Sequence, residues 1–416
     1  QIDRGILENN LGAAAAAAGI DFRHGSRVTK VDVDKHKGSH NATFVDDSGE
    51  HSVKTRWIVD AGSRAGPLRA NLNIKELSAH ENHAVWFRLG VPLKIDEWSS
   101  DSAWQDRCTA GNRWLSTNHF MGPGYWVWFI PLASGCTSVG IVADPSIHPH
   151  SRFPNFDATL DWLKEFQPTC WHVLDPVRDS LMDFRFLRRY SHGARRVFSP
   201  ERWALTGEAG VFADPFYSPG SDFIGISNTF LTDLIRQDFE GQNIRGRCSA
   251  LQELYFSFYR STLDLYVNQY PGFGDLRLMA CKTTWDYAYY WAILAKLFFA
   301  GDMLDPRLIE IAGRSLLQAR SLNQQIQTRF RARASEKRQE EAHGRFVDQC
   351  QIPCLWQLNA DLGNGSGTLA QDVAVNVEML ERLSNVLLSI LDERPGRNGE
   401  LAERELVGDL RQRLAA

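Results

Sequence analysis

The residues with the clearest capacity for chemistry lie between 203 and 238, in the stretch WALTGEAGVFADPFYSPGSDFIGISNTFLTDLIRQD. An apolar strand over 203–206 runs into Gly207-Glu208 and then into an acid-proline turn at Asp214-Pro215. Ser218-Pro219-Gly220-Ser221 opens an amphipathic helix carrying Phe223, Ile224, Phe230, Leu231, Leu234 and Ile235. The first turn of a helix leaves N–H groups without intrahelical partners, and the positive end of the helix dipole lies there. Such a start favours an anion or an electron-rich group, and a glycine within it lets a ligand approach the backbone closely. A second candidate surface is 125–131, YWVWFIP. On a strand, Trp126, Trp128 and Ile130 share one face, with neighbouring indoles about 7 Å apart, and Pro131 ends the ladder. A third is 57–64, WIVDAGSR, an apolar strand that breaks at Gly62.

The stretch around Gly207 resembles the GDAxxFxDPxxSxG motif of FAD-dependent monooxygenases and halogenases of the hydroxybenzoate hydroxylase-like fold. Glu208 stands where the commonest form has Asp, one methylene longer and still an acceptor. The resemblance implies that Gly207 and Glu208 meet the ribityl chain of FAD and that Asp214-Pro215 lies along the isoalloxazine. It also implies that the helix start at Ser221 faces the flavin pyrimidine, where the dipole would stabilise an anionic reduced flavin. The segment with Gly62 resembles the family's DAxGxxS return to the dinucleotide, and the backbone near Val28 would cover the adenine.

WVWFIP is similar to the WxWxIP signature of flavin-dependent halogenases, so the resemblance narrows to that family and covers roughly the first 300 residues in the family's order. It implies FAD, used as FADH2 from a separate flavin reductase, together with oxygen and chloride. Trp126 and Trp128 would lie near the flavin and discourage direct monooxygenation. Described members hold halide on two backbone N–H groups of a Ser-Thr-Gly turn, which here becomes Ser218-Pro219-Gly220. Proline has no N–H, so of that pair only the Gly220 donor remains. The glutamate that assists tryptophan-halogenating members falls at Tyr217, and FYSPGS is closer to the FxSxG of phenol- and pyrrole-type members. An aromatic phenolic, pyrrolic or carrier-bound substrate is therefore expected, with Tyr217 on its side of the site. The family's catalytic lysine belongs to a segment before Gln1, and no lysine here inherits the role. His119 is an acid/base candidate. An FAD-dependent monooxygenase without halogenation, or a fragment unable to hold flavin alone, stays open as the alternative.

These residues need an α/β (α+β) scaffold: the remainder of a Rossmann-like FAD-binding domain, a mixed substrate-side β-sheet and a helical C-terminal region. The expected segments are 1–75 and 201–240 for the FAD-binding domain, 76–200 for the substrate-side sheet and 241–416 for the helices. An alanine-rich helix over 6–18 ends at Gly19. Residues 27–33, 42–46 and 53–60 read as a three-strand meander, and 84–91, 113–120, 125–130 and 137–142 as the sheet. Residues 251–270 and 284–300 have helical, aromatic patterns that could roof a flat substrate or simply pack against the sheet. Residues 327–345 read as a charged, solvated face, and 369–391 and 400–414 as late helices. No GxGxxG occurs and the first residue is Gln, so the chain is expected to be an N-terminally truncated fragment lacking the first strand and its glycine turn.

Composition fits an enzyme of this kind. The 416 residues are 43% hydrophobic, and Lys+Arg 46 against Asp+Glu 50 gives a net charge of −4, which offers no general affinity for nucleic acid. Seven cysteines, at 108, 136, 170, 248, 281, 350 and 354, are scattered and odd in number, which points to a reducing, cytoplasmic setting. Cys350 and Cys354 lack the companions of a metal site, so no metal is expected. The most apolar helical stretch, 288–300, contains Lys296 and is shorter than the roughly 20 residues a membrane span needs. There is no GxSxG, HExxH or P-loop.

Overall fold

The computed structural model describes residues 1–34, 39–106, 112–336, 349, 352–362 and 367–392. The helix expected over 400–414, the turn before it, Cys108, Cys350 and the later part of the charged face over 327–345 lie outside the described residues. The fold is mixed α/β. Contacts divide it into two units, Gln1–Gln252 and Glu253–Ala416.

The first unit begins with α1 (Arg4–Ala17), where the Asp3 side chain accepts from the Gly5 amide and caps the helix. It is followed by β1 (Arg27–Asp32), β2 (His40–Asp46) and β3 (Gly49–Thr55), an antiparallel meander. The third expected strand, 53–60, is in fact two. At Arg56-Trp57 the chain turns, because both side chains donate to Asp238, at 2.7 Å and 2.9 Å. β4 (Ile58–Asp60) then leaves the meander for a different sheet. After α2 (Pro67–Asn71) and β5 (Lys75–Leu77) come β6 (His83–Leu89), α3 (Ser102–Gln105), β7 (Asn118–Gly122), β8 (Tyr125–Pro131) and β9 (Thr137–Ala143). The strand expected over 113–120 begins only at Asn118. The Arg113 and Trp114 amides are held by the Asp96 carboxylate in a short 3-10 turn instead.

The helices α4 (Phe156–Phe166) and α5 (Pro168–Leu174) precede β10 (Leu181–Leu187), β11 (His192–Ala194), β12 (Phe198–Ser199) and β13 (Trp203–Leu205). The strands β6 to β10 form one antiparallel sheet in the order β10-β6-β9-β8-β7. One face of it carries Val85, Phe87, Tyr125, Val127, Phe129, Val139 and Ile141, packed on Leu160, Trp162 and Leu163 of α4 and Cys170 and Leu174 of α5. Truncating one such buried leucine to alanine costs about 2–5 kcal/mol. Strand alternation therefore leaves Trp86, His119, Trp126, Trp128 and Gly140 on the other face. The long helix α6 (Pro219–Phe239) buries Phe223, Ile226, Phe230, Leu231 and Leu234, and leaves Ile224 exposed.

The unit boundary falls inside α7 (Arg245–Leu263). The second unit is helical: α8 (Leu276–Tyr289), a π-helical turn over Tyr290–Ala295, α9 (Lys296–Phe299), α10 (Leu308–Ala334), α11 (Pro353–Ala360) and α12 (Leu369–Asp392). The aromatic stretch expected as one helix is thus broken by the π turn, whose Ala292 carbonyl accepts from Asn376 of α12. Inside this unit Lys282 and Asp286, each with a side chain 1% exposed, form a 2.9 Å ion pair. Gln327 of α10 completes it, accepting from Lys282 and donating to Asp286. No helix of the described residues is long and apolar enough to cross a membrane.

Candidate active site

Two strands set the stage. β4 and β13 run parallel, with Ile58, Val59 and Asp60 opposite Trp203, Ala204 and Leu205. Their carboxyl ends therefore open on the same side, where ligands bind in open parallel sheets. After β4 the chain wraps around its own acid, as Asp60 accepts from the Gly62 amide at 2.8 Å and the Leu68 amide at 2.9 Å. Any side chain at Gly66 would start 2.5 Å from both carboxylate oxygens. After β13, Gly207 has φ +52°, and a Cβ there would stand 2.7 Å from Ile224 of α6. Both demands select glycine. The Gly207 amide donates to Ser227 of α6 at 3.2 Å, which docks the helix on the strand end.

The two loops meet where Ser63 Oγ donates to Glu208 Oε2 at 3.0 Å. Oε1 of Glu208 has no hydrogen-bond partner among the described residues. The Glu208 carbonyl is held by His192 Nε2 at 2.8 Å, and burial pushes the His192 pKa down.

Asp214 differs from the reading that gave it a cofactor contact. Its carboxylate is 0% exposed and engaged internally, with Tyr190 Oη at 2.6 Å, the Phe216 amide at 2.8 Å and His80 Nε2 against it. It shapes the turn from within, so a ligand could meet the Asp214-Pro215 turn only through its backbone or its half-buried proline. The chain then passes through Tyr217 and Ser218, both left-handed at φ 66° and 57°. A non-glycine residue held there costs of order 1 kcal/mol or more. Pro219 takes the first helical position, which its missing N–H suits. Ser218 gives no side-chain cap, and the amides of Gly220 and Ser221 have no partner among the described residues. The helix start thus offers two consecutive donors, at Gly220 and Ser221 rather than at 219 and 220.

The aromatic sheet face lies beside this turn. Ring centroids of Trp126 and Phe216 are 5.2 Å apart, and those of Trp126 and Trp128 are 5.5 Å apart. Trp126 is only 2% exposed, sealed by Phe216 and His119, so a direct encounter of its indole with a ligand, as expected for a catalytic residue, does not fit its burial. Trp128 is half-buried and donates to Ser138 Oγ at 3.2 Å. Its indole lies flat over Gly140, its cross-strand partner, in the space a Cβ would need.

The structure thus brings together Gly62, Gly207 and Glu208 at the strand ends, and joins Trp126 and Trp128 to the turn before Pro219, Gly220 and Ser221. Val28 is exposed on β1 of the meander, a different sheet from the one whose strand ends carry Gly62 and Gly207. Reading the sequence did not single out Asp60, Ser63, His80, Tyr190, His192 or Gly140. Asp60 had a local signal, an acid two residues before a glycine at a strand end. The partnership of His80 with Asp214 spans 134 residues and had none.

No protein-family model matches the chain. It is 25% identical over 331 residues to flavin-dependent halogenase chlA of Dictyostelium discoideum, a match covering 74% of this chain and 53% of that protein. It is 23% identical over 251 residues to the 1H-pyrrole-2-carbonyl-(peptidyl-carrier protein) brominase of Pseudoalteromonas luteoviolacea, covering 58% and 56%. A variant of halogenase PltM in complex with FAD superposes with a TM-score of 0.62 at 15% identity, over 90% of this chain and 74% of that one. This chain is a relative of the flavin-dependent halogenases. It has the halogenase fold, and it spans about half the length of the curated relatives it matches.

Proposed function

We propose that this chain carries the flavin and substrate sides of an FAD-dependent halogenase acting on an aromatic substrate, phenolic or pyrrolic and possibly carrier-bound. The observation that carries this reading is the 5.2 Å contact between Trp126 and Phe216, which sets the halogenase-like aromatic strand against the start of α6. The residues present fit FAD. The side chain of Arg69 is buried at 4% exposure, and its Nε and Nη1 have no hydrogen-bond partner among the described residues, a cationic group suited to a phosphate-bearing cofactor. Oε1 of Glu208 is placed to accept a hydroxyl such as those of a ribityl chain. When bound as FADH2 from a separate reductase, the cofactor would supply the two-electron chemistry with oxygen that oxidises chloride.

The protein's own part is binding and orientation. The Gly220 and Ser221 amides, with the helix dipole behind them, hold negative charge, whether a halide or an electron-rich ring. Trp126 backs the wall while Trp128 and Phe216 exclude water from it. Residues 1–75 and 201–240 form the flavin side in this reading, 76–200 the substrate side, and the cytoplasm is its setting. The experiment supplies the protein with FAD, a flavin reductase, NADH, oxygen and chloride or bromide, and follows an aromatic substrate panel by mass spectrometry. A product with the halogen isotope pattern supports the proposal, and an oxygenated, halogen-free product would make the chain a monooxygenase instead.

A further inference from the structure

His119 lies on the edge strand β7, directly opposite Trp128, with its ring 4.9 Å from Trp126 and 5.3 Å from Phe216. It is solvent-exposed, yet the surrounding rings desolvate it and push its pKa down to about 4. The imidazole is therefore neutral at physiological pH, with one N–H donor and one bare nitrogen acceptor.

Several other histidines of this unit spend these groups internally. His40 bonds the Asp34 amide and the Arg202 carbonyl, and His148 bonds the Pro123 carbonyl and Trp162. His83 has both nitrogens without a hydrogen-bond partner among the described residues but is sealed at 2% exposure beside Phe153 and Phe186 on the opposite face of the sheet. His119 makes no hydrogen bond among the described residues and remains reachable.

Resting on the reading of this face as the substrate side, we propose that His119 is a specificity-determining residue that accepts a hydrogen bond from a hydroxyl on the substrate's aromatic ring. The ring would lie along the half-exposed edge of Trp128, and the bare imidazole nitrogen would select phenols over the matching ethers. A proton would not transfer, because a phenol near pKa 10 holds it far more tightly than this imidazole. The role is recognition.

The test titrates the chain calorimetrically with 2-naphthol and 2-methoxynaphthalene, with and without FAD, in wild type, His119→Phe and His119→Gln. Folding of each variant is checked by circular dichroism. Loss of one neutral hydrogen bond corresponds to about a five- to tenfold change in affinity. Wild type should prefer the naphthol by that factor, His119→Phe should bind the two alike, and His119→Gln, which keeps an acceptor, should recover part of the preference. An unchanged ratio in His119→Phe, or no 2-naphthol binding to wild type, overturns the proposal. Failure of FAD to bind would overturn the flavin reading instead, and the ratio measured without FAD would still decide on His119.

Discussion

Replacing Gly140 by alanine puts the placement of Trp128 under direct strain. The added Cβ would occupy the space of the Trp128 indole, so the ring must leave the sheet. Leaving costs the 3.2 Å bond to Ser138, about 0.5–1.5 kcal/mol, and the ring contact with Trp126, about 0.5–1.5 kcal/mol more. The clash in Gly140→Ala should therefore cost about 1–3 kcal/mol in urea unfolding, only partly offset by the gain of up to about 1 kcal/mol that alanine normally brings to a strand. In a Trp128→Ala background the clash is gone and the substitution should be neutral or favourable. The double-mutant cycle should then show a coupling of about 1–3 kcal/mol. Single-mutant effects that add within about 0.5 kcal/mol would mean that the indole does not lie on Gly140.

Three further outcomes are expected. Pro219→Thr restores an N–H at the helix start and should tighten chloride by tenfold or more, about 1.5–3 kcal/mol for a charge-assisted bond, read from the chloride dependence of product formation; unchanged dependence would show that position 219 takes no part in holding the halide. Asp214→Asn leaves His80, Tyr190 and the turn partly unsatisfied and should lower stability by about 1–3 kcal/mol in urea, whereas an unchanged midpoint would show that the buried cluster does not hold the turn. Asp238 is pulled up by burial but pulled further down by Arg56, Trp57 and Arg202 together, so its pKa in the folded chain lies below the ordinary carboxylate value. A depressed carboxylate contributes stability above the unfolded pKa and loses it as pH falls through the folded one. The deficit of Asp238→Asn should thus be full at pH 7 and vanish in acid below that window; a deficit that persists there refutes the ion-pair origin.

Much of this was legible because it is local. Alternation in YWVWFIP sets Trp126 and Trp128 on one face, and the proline-glycine start of α6 is a short-range signal. What could not be read depends on distant partners. Arg56 and Trp57 look like strand residues until Asp238, about 180 positions later, takes both and bends the chain. Asp214 looks like a ligand until Tyr190 and His80 enclose it. α4 and α5 offer only the Asn155 cap as a local signal, because their apolar residues make sense only against the sheet they cover.

The start of α6 and the loops after β4 and β13 are proposed to hold a flavin beside the aromatic wall. Anaerobic titration of the chain with FADH2, followed by flavin fluorescence, tests this most directly. Saturable binding of one flavin per chain is the predicted result, and a linear response without saturation would contradict it.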